Sequence, residues 1–193
     1  MSADFSKVPT RDILDFAAAY PLAWIVPAAD PSTALLMPLL IETDADGTPL
    51  SILGHMPVRA PAGDALRRDG KAVFLFLGAN AYIAPGWVSQ TDWAPTWNFL
   101  SLKIEAASMQ VDEALTKPAV EALVRHMEAR AGSGWTVDRI GPRYETLLAG
   151  ITGFRAPISK IEPRFKLGQD ESETVHDEIK RGLGDHPLAD WME

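Results

Sequence analysis

The sequence predicts a mainly β chain with helices, an α+β architecture built as a small β-barrel carrying helices at its ends. Three observations predict it. About six or seven short apolar or alternating runs are separated by turn signals, helical periodicity is inserted late in the chain, and no strand–helix–strand alternation suggests a parallel sheet.

Taken in order, Ile13, Leu14, Phe16, Ala17 and Tyr20 form the apolar stripe of a first helix, with Thr10 as its expected cap and Pro21 as its stop. Strands follow at Leu22 to Val26, Ala34 to Ile41 and Leu50 to Met56, and Asp44-Ala-Asp-Gly47 is a hairpin signal between the last two. Residues 62 to 69 read as a short helix. Ala72 to Leu77 is continuously apolar, as in a strand buried on both faces. A long strand is expected from Asn98 to Val111, where Lys103 and Glu105 interleave with apolar residues. Ala119, Val120, Leu123, Val124 and Met127 then share one helical face, with Thr116 as expected cap and Gly132 as stop. A second inserted helix runs from Pro142 to Ala149, and Ile151 to Ile161 returns to a strand in which Pro157 signals an edge or bulge. The tail is helical from Asp170 or Ser172 to about Gly182, and Trp191 is expected to dock on the body or on a partner. We therefore expect one domain over residues 1–193, with inserted helices at about 112–150 and a helical tail at about 170–193.

Composition excludes several chemistries. The chain of 193 residues has no cysteine, which removes disulfides, thiolate nucleophiles and cysteine metal sites, and a reducing cytoplasm is the expected compartment. The first thirty residues lack the basic-then-apolar order of a signal peptide. A net charge of −8 opposes a nucleic-acid backbone, and no helix-turn-helix pattern is present, so direct DNA binding is not expected. The Arg67-Arg68 group near Lys71 and the Arg164/Lys166 pair are each large enough to hold one phosphate. Phosphate-loop, dinucleotide, nucleophile-elbow and zinc-protease motifs are all missing. The four histidines are scattered, and His126 and His176 read as solvated helix residues. No catalytic residue and no metal ligand is identified.

What stands out is Trp87, Trp93 and Trp97, three tryptophans within eleven residues. Such a segment either makes an aromatic mini-core under a loop or presents a shaped surface to a flat partner.

Phe76-Leu-Gly-Ala-Asn-Ala-Tyr-Ile-Ala-Pro-Gly-Trp87, Pro95-Thr-Trp-Asn-Phe99, Gly153-Phe154, Ile161-Glu-Pro-Arg-Phe-Lys-Leu-Gly-Gln169 and Leu53-Gly-His-Met56 resemble the signature blocks of the PaiB family of FMN-binding negative transcriptional regulators. The resemblance runs in order from roughly residue 10 to 185. It implies an FMN-binding split barrel of the pyridoxamine-phosphate-oxidase type, a bacterial homodimer with FMN in the groove between subunits. By the same analogy, His55, Met56 and Arg59 would lie near the phosphate or ribityl chain, Trp97 and Asn98 beside the ring or dimer seam, and Lys166 and Gln169 would close the pocket. The chain departs from the family pattern at Leu36, Ala60, Lys103, Gly168 and Asp170, where polar or differently charged groups are usual. The expected role is that of a cytoplasmic regulator acting indirectly, with flavin redox chemistry as a possible activity. The alternative is a flavin-free dimer that binds another small ligand or serves as an interaction protein.

Overall fold

The computed structural model describes residues 4–192. Helix α1 (Thr10–Ala19) leads into strands β1 (Leu22–Pro27), β2 (Leu35–Thr43) and β3 (Pro49–Pro57), then α2 (Pro61–Asp69). Strands β4 (Ala72–Ile83), β5 (Thr96–Ala106) and β6 (Gln110–Asp112) precede α3 (Thr116–Ala131) and α4 (Arg143–Leu148), and β7 (Ile151–Lys166) and α5 (Glu173–Leu183) complete the order.

All pairings are antiparallel, in the order β3-β2-β1-β4-β5-β7, and β3 pairs back onto β7, so six strands close a barrel. The short β6 continues the β5 edge onto the first half of β7. Closure removes the unpaired edges that an open sheet of this size would expose. The inward positions fill the interior with large apolar side chains: Ile25, Leu39, Ile52, Phe74, Leu100, Leu102, Ile104 and Phe154 are fully buried. Phe74 and Phe154 stack across it at 6.3 Å. At one end Trp191 meets Phe16, Tyr20 and Phe165, so the tail docks on the chain's own body.

The closing seam carries a polar clasp. Arg155 on β7 donates from Nε and a terminal nitrogen to both carboxylate oxygens of Glu42 on β2, at 2.7 and 2.8 Å, and Ser51 on β3 donates to the same carboxylate at 2.6 Å. Three strands are tied by one bidentate, charge-assisted group.

Several local expectations are corrected. Thr10 does not cap α1, whose N-cap is Pro9 without a side-chain bond. Thr116 caps nothing on α3; its buried hydroxyl accepts the Gly153 amide at 2.9 Å. Strand β4 runs on to Ile83 through a bulge between Leu77 and Asn80, and β7 runs on to Lys166. Ala72 to Leu77 is not buried on both faces of the chain: Phe74 and Phe76 are in the core, whereas Leu75 and Leu77 face outward and are 40% and 60% exposed. Nor are His126 and His176 fully solvated. His126 lies half-buried with Nε2 3.1 Å from the Ala18 carbonyl at the end of α1, and half-buried His176 sits beside Gly168.

Candidate functional site

Residues directly opposite each other in an antiparallel ladder point to the same face, so the register dictates what the outer wall of the barrel presents. One outward row is Leu36–Trp24–Leu75–Lys103–Glu162, read across β2, β1, β4, β5 and β7. Beyond it come Pro38–Leu22 on β2 and β1 and Leu77–Ser101–Arg164 on β4, β5 and β7, followed by Asn80–Phe99–Lys166 and by Tyr82–Trp97. Five strands thus bring together residues from five separate parts of the sequence. The wall is apolar on the β2–β1–β4 side and cationic on the β7 side.

Its apolar half lies open. Trp24 is 48% exposed, and Leu22, Leu36, Leu75 and Leu77 are exposed beside it. Two concavities flank this patch and share Trp24, Leu75 and Leu77: one of about 880 Å³ reaches Lys103, Glu162 and Arg164, and one of about 440 Å³ reaches Tyr20 and Leu36. The larger is within the size range of small-molecule clefts, ~300–1,000 Å³. A contiguous exposed apolar patch of this kind marks a binding or association surface rather than ordinary surface scatter.

The charged half is ordered by pairing. Lys103 is held by Glu105 at 3.2 Å and by Glu162, which also takes Lys160 at 3.0 Å. Lys166 donates to the Thr96 hydroxyl. Arg164 has no carboxylate partner among the described residues; its guanidinium lies 5.7 Å from the Phe5 ring centroid and 5.9 Å from that of Phe99.

The aromatic segment divides its labour. Trp87 packs over Gly182 of α5, where an added Cβ would stand 2.5 Å from the indole. Trp93 donates from Nε1 to Glu171 at 3.1 Å, and the Ser89 amide donates to Glu178 at 2.7 Å. These contacts pin the loop to the C-terminal helix and to the segment that leads into it, which is the mini-core use of aromatics. Trp97, by contrast, is 53% exposed and meets Tyr82 edge to face at 6.2 Å. It stands on the outward wall.

Of the residues singled out from the sequence, Trp97 and Lys166 share that wall. Asn98 does not: strand alternation turns it inward, where it is fully buried with neither side-chain polar atom bonded to a protein partner. Gln169 is occupied by the chain itself, accepting the Leu167 amide at 2.7 Å and donating to the Phe165 carbonyl at 2.6 Å. Met56 is fully buried in the core and its side chain offers no surface to a ligand. Arg59 is exposed in the turn after β3. His55 is half-buried opposite Gly153, on the side covered by the start of α3; its Nδ1 has no partner, and burial pushes its pKa below the usual imidazole range. Gly153 and Lys166 are thirteen residues apart on β7, a contour length of about 43 Å at ~3.3 Å per residue. Within one chain, the His55 group and the Trp97/Lys166 group therefore do not line one pocket.

Sequence reasoning missed Trp24, Leu75 and Leu77. A signal existed: Leu22-Ala-Trp-Ile-Val and Ala72-Val-Phe-Leu-Phe-Leu are apolar on both faces, whereas a strand of an antiparallel barrel in water alternates.

Comparisons with known proteins converge on this architecture. A family model described as "Putative FMN-binding domain" matches residues 1–160. The "Protease synthase and sporulation protein PAI 2" of Bacillus subtilis (strain 168) is 24% identical over 124 residues, which is 64% of this chain and 59% of that protein's length. Among solved structures, an FAD and heme binding protein from Mycobacterium smegmatis superposes with a TM-score of 0.59 at 14% identity, covering 91% of this chain and 78% of its own. A conserved hypothetical protein from Mycobacterium tuberculosis superposes with a TM-score of 0.60 at 12% identity, covering 90% and 94%. The superpositions show the split-barrel fold, and the family match is independent of them.

Proposed function

This chain belongs to the Putative FMN-binding domain family, and from that premise we propose that it binds flavin mononucleotide on the outer wall of the barrel, in a crevice completed by a second copy of the chain. The observation that carries this reading is the outward register, which sets an open apolar patch of Trp24, Leu75 and Leu77 beside the cations of β7.

The residues present fit the group. An isoalloxazine needs a flat apolar wall, and Trp24, Leu75 and Leu77 supply one; a phosphate needs cations and hydroxyls, and Arg164, Lys166 and Ser101 supply them. Trp97 and Tyr82 extend the platform past Phe99. Leu36 replaces a polar group of the family pattern with one that enlarges the apolar wall. When bound, a flavin supplies one- and two-electron transfer. The chain's own residues bind and orient it and exclude water from one face. The second copy covers apolar surface that otherwise stays in contact with water.

The biological role we propose is control of gene expression exerted indirectly. The name of the Bacillus relative supports a link to protease synthesis and sporulation, and a net charge of −8 argues against grasping DNA. A titration of the purified chain with FMN, followed by flavin fluorescence and absorbance, is expected to saturate near one flavin per chain. A colourless protein that leaves added FMN free would overturn the reading. In a companion gel-shift assay, promoter DNA is expected to migrate unchanged; a salt-sensitive, sequence-specific shift would replace indirect with direct regulation.

A further inference from the structure

The groove beside Trp24 is lined by two basic side chains, Lys103 and Arg164, and they are in different states. Lys103 is neutralised by Glu105 and Glu162. Arg164 makes no ion pair among the described residues, and its guanidinium is flanked by the Phe5 and Phe99 rings, with centroids at 5.7 and 5.9 Å. Those rings are themselves fixed. Phe99 belongs to β5, and the Phe5 carbonyl accepts the Phe165 amide at 3.0 Å, which ties the N-terminal segment to the β7 backbone. Asp4 also lines the groove, and its carboxylate is engaged by Ser6 and by Lys7 at 3.7 Å.

A guanidinium gripped by two aromatic faces loses little further freedom when it binds an anion, and its planar fork matches phosphate oxygens two at a time. Lys166 stands two positions along the same face of β7, about 6.6 Å further by strand rise, where its ammonium donates to the Thr96 hydroxyl. Ser101 lies opposite Arg164 on β5, with its hydroxyl donating to the Arg164 carbonyl at 3.4 Å.

We propose that Arg164 is the specificity-determining residue of this site, selecting ligands that end in a phosphate monoester over their unphosphorylated forms. This rests on the flavin reading above and adds to it which residue tells FMN from riboflavin. The N-terminal segment takes part as a positioning element, through Phe5, rather than by touching the anion.

The test is a fluorescence titration of the full chain with FMN and with riboflavin, for the unaltered protein, R164Q and R164K, with inorganic phosphate as a competitor. The unaltered protein is expected to favour FMN by at least about tenfold, R164Q to lose about tenfold in FMN affinity with riboflavin unchanged, and R164K to recover part of the loss. Excess inorganic phosphate should weaken FMN binding and leave riboflavin binding alone. Unchanged riboflavin binding doubles as the check that R164Q is folded. If the unaltered protein binds both flavins equally, or R164Q weakens both alike, Arg164 is not the discriminating residue although the flavin site stands. If neither flavin binds, the flavin reading and this inference fall together.

Discussion

At the scale of single residues, two groups report on different parts of the acid range. His55 is neutral in the fold because burial depresses its pKa from 6.5, so the unfolded chain binds more protons as pH falls. Its contribution is present above about 6.5 and is lost as pH drops towards and through the folded value. Glu42 behaves as a depressed carboxylate, held down first by the hydrogen bonds from Arg155. Its contribution is present above the unfolded value of 4.5 and lost as pH falls through the folded one. Denaturant melts carried from pH 7 down to about 2 should therefore show two successive losses. His55→Gln is expected to flatten the upper one, and Glu42→Gln the lower one at a cost of roughly 1 kcal/mol near neutrality, discounted because both partners of the clasp are partly exposed. A single loss, removed equally by either change, would show that the two groups titrate as part of one cooperative event. Neither role was legible locally, since His55 and Glu42 acquire theirs from Gly153 and Arg155, about a hundred residues away in sequence.

At the scale of elements, the family-like blocks turn out to be largely packing devices. Gly153 is glycine because the turn into α3 lies against it: a Cβ there would stand 2.3 Å from the Leu115 carbonyl carbon, which is backbone and cannot swing aside. Gly153→Ala is expected to cost about 3 kcal/mol, read as a lowered denaturation midpoint with an unchanged denaturant slope. Wild-type stability in that variant would mean the α3 junction is not held as described. Gly182 serves Trp87 in the same manner. The alternation of β5 was legible from sequence, but the single strand expected from Asn98 to Val111 is broken: β5 ends at Ala106, Ser108 takes a positive φ of 60°, and β6 is a separate strand. The ends of β4 and β7 were not legible, because Asn80, Ala81 and Pro163 are poor strand residues locally and are held extended by their partners on β5. The cap at Thr116 failed because a hydroxyl at a helix start also bonds elsewhere when tertiary packing brings an amide near it, as Gly153 does; Thr10 is already the first residue inside α1, one position past the cap.

At the scale of the whole molecule, the open apolar wall has consequences for assembly. Leu77 is 60% exposed in the chain, so Leu77→Lys should leave the melting temperature of an isolated subunit almost unchanged, as surface substitutions usually do. We expect the unaltered protein to run as a dimer by light scattering, and Leu77→Lys to run as a monomer with weakened flavin uptake. A dimer that persists in this variant would move the subunit contact to another face. Among the described residues, no helix is long and apolar enough to cross a membrane, so this wall is not part of a helical span. By itself, the sequence determined the barrel class and the inward face of the alternating strand β5, because alternation and turn chemistry are local; in β1 and β4, apolar at successive positions, it left the inward face open. It also carried the family, through blocks whose spacing survives as packing. Only the tertiary structure decided which outward residues meet. Barrel closure sets the register between strands far apart in sequence, and that register alone puts Trp24, Leu75, Leu77 and Arg164 on one wall.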